Sequence, residues 1–325
     1  MLLNSTKLVL MNAMMIGVIM VISSNNWLSM WMGLEICMLS FIPFMHNKIK
    51  SSSESMMKYF IVQSIASTLF MFSVICMLIG VSMTNETFMT ISMLIKLGSA
   101  PFHNWVLMVI ENISYMVMFN LLTIMKIPPM LILYQINSNL LMMPIILSMS
   151  ISSIMCINQS SLRKTFGFSS IYNLSLMLMV MNKMNLMISY LVIYSVTMIP
   201  MVFLTFKLKI NFLNQMVFND FSMWIKLNLW INMLSMGGFP PLAGFLGKIM
   251  VLQHLISTNQ VLLTSMLILT STLVMMFYTR MAFSSMMSLQ NHKKWSYFYK
   301  TSLTKVLMGL NFMASPMILT LKSIV

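Results

Sequence analysis

The chain has 325 residues, of which 59% are hydrophobic and only 7% charged, whereas soluble globular domains carry roughly 25% charged residues. Basic groups outnumber acidic ones 19 to 5, a formal net charge of +14, yet this excess reflects scarce acids rather than dense basic clusters. A soluble enzyme, a disordered tail and a nucleic-acid binder are thereby excluded, and the composition is that of an integral membrane protein.

A bilayer span needs about 20 predominantly apolar residues. In chain order, apolar runs between polar breaks predict eleven membrane helices, over 8–22, 27–45, 57–82, 87–107, 113–134, 140–157, 167–181, 185–206, 222–256, 261–283 and 303–321. The first and seventh are short, and the ninth is too long for one straight span. The longest connections lie near 207–221 and 284–302, so the expected class is all-α, one polytopic membrane domain over 1–325. The opening MLLNSTKLVL lacks the Arg-rich, amphipathic character of a transit peptide.

Lysines and arginines of short loops mark the negative side of a membrane. With eleven spans, one side receives Lys7, Lys48, Lys50, Lys58, Arg163, Lys164, Lys207, Lys209, Lys293, Lys294 and Lys300. The opposite side holds only Lys183 and Lys322 among basic residues, together with Glu86 and the polar stretches SSNN, QINSN and STNQ. The N-terminus and the basic loops are therefore expected on the negative side, matrix or cytoplasm.

Two spans carry breaks at matching places. The fourth reads IKLGSAPFHNW, with Gly98 and Pro101, and the ninth reads MGGFPPLAGFLGK, with Gly237, Gly238, Pro240, Pro241 and Gly244. Proline removes a backbone donor and clashes with the preceding turn, so no regular helix passes through Pro-Pro. Helices four and nine are five apart, an odd number. Repeats over 8–134 and 140–283 would then be inverted, with 303–321 an extra helix, which is a transporter signature. The plainer alternative is two unrelated helices with ordinary kinks.

Four charges sit within apolar runs: Glu35 in WMGLEICMLSF, Lys96 in MLIKLGSAPF, Lys126 in LLTIMKIPPM and Lys248 in LAGFLGKIMVL. A central lysine costs about 2.5–3.5 kcal/mol on insertion scales, a cost that marks a functional site by default. Desolvation favours a neutral amine and a nearby carboxylate favours the ammonium, so one moving charge can load and unload a buried lysine. Glu35 is the sole acid central to any span and hence the natural switch partner. The competing reading for Lys96 or Lys248 is an amine that snorkels to the interface, and for Glu35 a structural counter-ion. His103 is a weaker proton-carrying candidate, equally able to hydrogen-bond carbonyls freed by the Pro101 break. Arg280 reads as an interfacial anchor, and Glu86 and Glu111 lie near span ends.

Other chemistry finds no support. Cys37, Cys76 and Cys156 are isolated in apolar runs, which suits buried small hydrophobes rather than disulfides or a metal cluster. Gly247-Lys248 is no phosphate loop, because Leu242 stands where a glycine is needed and Ile249 where a hydroxyl is. No metal-spaced histidine pair, nucleotide fingerprint or nucleophilic triad occurs, so no cofactor or metal is expected in this chain. The 46 methionines resemble the coding habit of AT-rich mitochondrial genomes.

The stretches KLGSAPFHNW (96–105), LLTIMKIPPM (121–130) and GGFPPLAGFLGK (237–248), with WMGLEI around Glu35, resemble the antiporter-like membrane subunits of mitochondrial NADH-ubiquinone oxidoreductase, respiratory complex I. The resemblance runs over almost the whole chain, and its length and methionine content are similar to arthropod versions. It implies a proton relay in which Glu35 matches the glutamate of the first half-channel and Lys96 its lysine partner. Lys126 matches the central lysine and Lys248 that of the outlet half. It further implies the mitochondrial inner membrane, with the N-terminus in the matrix. NADH, FMN, iron–sulfur clusters and ubiquinone would be held by partner chains. The partners would be other membrane-arm and accessory subunits and lipids such as cardiolipin, with no nucleic acid. The second half departs from symmetry, having no acid that matches Glu35. Two alternatives stay open: a stand-alone or Mrp-like cation/proton antiporter subunit, and a structural subunit without proton transfer.

Overall fold

The computed structural model describes residues 5–47, 50–80, 85–136, 139–218 and 223–287, and Gly309. Among these residues no β-strand forms, and the only sheet-like pairing is one bridge between Ser161 and Phe212. The span expected over 303–321 and the basic residues Lys48, Lys293, Lys294, Lys300 and Lys322 lie outside the described residues.

The chain divides into two compact units, Met1–Ser148 and Met149–Val325. The first holds α1 (Ser5–Ser23), α2 (Trp27–Met45), α3 (Lys50–Ile79), α4 (Asn85–Leu97), α5 (Asn104–Asn112), α6 (Tyr115–Leu122) and α7 (Ile127–Ile136). The division falls within α8 (Met142–Ile157). The second holds α9 (Leu162–Met179), α10 (Met184–Leu208), α11 (Leu213–Phe218), α12 (Met223–Gly237), α13 (Ala243–Ser257) and α14 (Val261–Met287). Among the described residues, six stretches are long and apolar enough to cross a membrane: Ser5–Ser23, Trp27–Met45, Lys50–Ile79, Tyr115–Ile136, Met184–Leu208 and Val261–Met286.

Several elements depart from the apolar-run boundaries for local reasons. α3 starts at Lys50, before the apolar run, because its polar first turns are supported from within: Ser53 Oγ donates to Lys50 O, and Lys58 pairs with Glu54 one turn back. The connection expected over 207–221 contains α11. Its start is clamped by Leu213 N donating to Ser160 O and Leu162 N donating to Asn211 O, each at 3.0 Å. α9 begins at Leu162 and is buried along nearly its whole length, polar residues included. Protein rather than lipid surrounds it, so its apolar stretch is short.

Close approach of α1 and α2 depends on two glycines. A Cβ on Gly17 would lie 2.9 Å from Gly33 O and 2.6 Å from Cys37 Sγ, and one on Gly33 would lie 2.9 Å from Gly17 O. With no hydrophobic force between helices in lipid, such backbone contact is what drives their packing. It sets the position of α2 and thereby of Glu35. The exposed large side chains Leu8, Val9, Ile16 and Ile19 face outward from α1, as a lipid-facing helix requires.

Candidate functional site

In the first unit the fourth span is two helices, α4 and α5, joined through Gly98 and Pro101. Gly98 has φ +69°, and the amides of Gly98 and Ser99 both donate to Leu94 O, at 3.0 and 3.2 Å. This is a left-handed glycine stop that satisfies orphan carbonyls at a helix end. The next carbonyls are covered from other elements. Trp105 Nε1 donates to Ile95 O at 3.0 Å and Gln63 Nε2, from α3, to Lys96 O at 3.4 Å. A buried break is therefore wired to its neighbours rather than left open.

Lys96 lies in the last turn of α4 and is 8% exposed. Lys126, 5% exposed, ends a short 3-10 turn (Ile124–Lys126) that interrupts the fifth span between α6 and α7. Thr123 Oγ1 donates to Phe119 O at 2.7 Å at this interruption, while Pro128 and Pro129 occupy the first turn of α7, where a missing amide costs least. Both lysines line one buried cavity of about 30 Å³, together with Cys37, Tyr59, Gln63 and Trp105. That volume accommodates about one or two waters.

Glu35 sits on α2, one half-turn from Cys37 of the cavity wall. Its Oε1 is buried and has no hydrogen-bond partner among the described residues. Glu35 and Lys96 interact electrostatically without forming a direct ion pair. A carboxylate beside an amine, without a direct ion pair, leaves the amine free to exchange a proton.

In the second unit the ninth span divides into α12 and α13. Gly238 has φ +76°, and Phe239 N donates to Leu234 O at 3.1 Å, the same stop as at Gly98. Lys248, on α13 and 9% exposed, folds back so that Nζ donates to Gly237 O at 2.7 Å. Gly237 ends α12, so the ammonium caps the negative pole of that helix. Nζ also lies 5.8 Å from the centroid of the Tyr172 ring. A Cβ on Gly238 would come within 2.7 Å of Nζ, and one on Gly244 would collide with Ser235 O, so both glycines make room for this arrangement. A second cavity, about 20 Å³, is lined by Lys248, Asn173, Tyr190, Tyr194, Thr197 and Ser235. Tyr190 donates its hydroxyl to Asn173 Oδ1 at 2.7 Å across it.

Of the residues singled out from sequence, Lys96 and Lys126 meet at one cavity with Glu35 nearby, and Lys248 has its own polar pocket. His103 stands apart, on the loop after the break, with Nδ1 3.3 Å from Pro101 O. Two contributors and one further buried lysine escaped the sequence reading. Gln63 and Trp105 act only through tertiary contacts. Lys226 on α12 is 4% exposed, and on the same helix Asn228 and Asn232 are fully buried, with Asn232 Nδ2 donating to Asn228 Oδ1 at 2.9 Å. The signal available was a lysine inside the expected ninth span. Among the described residues no three His, Cys, Asp or Glu side chains gather as a metal site.

Residues 24–274 match the family described as NADH:quinone oxidoreductase/Mrp antiporter, transmembrane. The chain is 39% identical over 292 residues to an NADH-ubiquinone oxidoreductase chain 2 of Anopheles gambiae, covering 86% of this chain and 85% of that one. With its counterpart in Aedes aegypti the identity is 37% over 314 residues, 92% of each chain. A chain of respiratory complex I from Thermus thermophilus has a TM-score of 0.80 at 18% identity, covering 98% of this chain and 78% of that one. A chain of the Mrp complex from Dietzia has a TM-score of 0.74 at 13% identity, covering 90% and 62%. These structural likenesses concern the fold.

Proposed function

The chain belongs to the NADH-ubiquinone oxidoreductase chain 2 family, and on that premise we propose that it moves protons through Glu35, Lys96, Lys126 and Lys248. It is a membrane subunit of the proton-pumping NADH:ubiquinone oxidoreductase. Its place is the mitochondrial inner membrane, with the N-terminus and basic loops on the matrix side and other membrane-arm and accessory subunits and membrane lipids as neighbours. Electron transfer through NADH, flavin, iron–sulfur clusters and ubiquinone is the work of partner chains. Residues 8–134 and 140–283 act as inverted halves, each with one broken helix.

The observation that carries the relay is the single cavity shared by Lys96 and Lys126. A proton leaving one amine reaches the other through one or two waters, without crossing lipid. The Glu35 charge sets which form of Lys96 is favoured, so a change at the carboxylate loads or discharges the amine. Lys248 trades this carboxylate control for the dipole of α12, which supplies the missing acid of the second half. His103 contributes at most to holding the loop at the break.

The test is proton translocation and NADH oxidation by assembled complexes carrying Lys96→Met, Lys126→Met or Lys248→Met. Normal assembly with lost coupled turnover is the expected result. Unchanged turnover and stoichiometry would refute the relay and leave a structural subunit.

A further inference from the structure

A cavity of about 310 Å³ lies in the second unit and takes no part in the relay. Apolar side chains of Ile157, Leu213, Phe277 and Met281 line it, with Arg280 and the polar groups of Ser160, Asn214 and Ser284. Its volume falls at the lower end of small-molecule sites, but its wall combines an oily side with a cationic and hydroxyl-bearing rim.

Depth fixes what kind of molecule could enter. Arg280 lies about 28 Å along α14 from Val261, taking 1.5 Å per residue. A hydrocarbon core of about 30 Å then puts the guanidinium at the headgroup level. The end of α8, the start of α9 and the end of α10 meet the same rim through the Ser160–Leu213 and Leu162–Asn211 backbone bonds. These helix ends bring Arg163, Lys164, Lys207 and Lys209 to that side of the unit. The sole acid in 149–325 is Asp220, outside the described residues.

Arg163 is engaged, donating from Nη2 to Asn211 Oδ1 at 3.2 Å. Arg280 is exposed and makes no hydrogen bond or ion pair with any described residue. Five fixed guanidinium donors with no acceptor among the described residues match phosphate oxygens in bidentate geometry. We propose that this cleft binds an anionic glycerophospholipid, its phosphate on Arg280 and the rim hydroxyls and one acyl chain along Ile157, Phe277 and Met281. The site depends on the chain spanning the membrane and not on the lysine relay.

Photoactivatable phosphatidylglycerol, phosphatidylcholine with the same acyl chains, and inorganic phosphate as competitor test this in the assembled complex. The anionic lipid is expected to label the segments 157–160 and 277–284 several-fold more than the zwitterionic one, undiminished by free phosphate. Arg280→Gln is expected to lower labelling about fivefold, as for one cation near an anionic headgroup, with NADH oxidation retained. Ser284→Phe, which keeps the charge and fills the cleft, is expected to lower it as well and carries the test if Arg280→Gln fails to assemble. Equal labelling by both lipids, displacement by free phosphate, no labelling because a neighbouring subunit fills the cleft, or labelling indifferent to either substitution would overturn the proposal.

Discussion

The Nζ of Lys248 donates to the carbonyl oxygen of Gly237 at 2.7 Å, across the gap between the two halves of one broken helix. The amine comes from the start of α13 and the carbonyl from the end of α12, so the break itself supplies the counter-charge. This pairing works only because Gly238, at φ +76°, has no Cβ where Nζ must lie.

Gly238→Ala therefore strains the left-handed backbone and displaces Lys248 together. The backbone strain alone is about 1 kcal/mol, and coupled turnover is expected to fall as in Lys248→Met. Comparing NADH oxidation and proton uptake of the two variants at equal assembly checks this; wild-type turnover in Gly238→Ala would contradict the pairing.

Glu35→Gln keeps the shape of the side chain and removes its charge. Turnover is expected to drop while assembly holds. The double variant Glu35→Gln, Lys96→Met is expected to be no slower than the slower single one, since both remove the same step. Additive losses in the double-mutant cycle would show that the two residues act separately.

Gln63→Leu leaves Lys96 O without its donor in the protein interior. An unmade buried hydrogen bond of this kind costs about 1–3 kcal/mol, so a lower midpoint in thermal disassembly of the complex is expected. Trp105→Phe should lower it less, because Ile95 O keeps the Gly98 amide as a donor at 3.1 Å. If both variants matched the wild-type midpoint, the anchoring of the α4 terminus by these side chains would be wrong.

Gly17→Leu inserts a side chain where α1 and α2 touch backbone to backbone. Assembled complex is expected to fall sharply in blue-native gels. The same substitution at Ile16, which faces outward at 56% exposure, is expected to be silent.

The charges of the site were legible because lipid makes a lone lysine or glutamate conspicuous: Glu35, Lys96, Lys126 and Lys248 all interrupt apolar runs. Both long-helix breaks were legible from glycine and proline. The third interruption, at Lys126, was not, since Pro128 and Pro129 fit the first turn of α7 and betray no kink. Lys226 went unnoticed near the edge of its span, although the fold buries it. The partners of the breaks were illegible for a deeper reason. Gln63 is 33 residues from the carbonyl it covers, and only tertiary packing brings them together. Lys248 donates to a backbone carbonyl, a partner that no pattern of side chains records.

α9 presents tyrosine, asparagine and serine side chains to protein instead of lipid, with Tyr172, Ser169, Ser170 and Ser175 all buried. On its own such a segment is a poor substrate for a translocon that weighs each helix by its greasiness. Entry together with α10, against which Asn173 meets Tyr190, removes the difficulty.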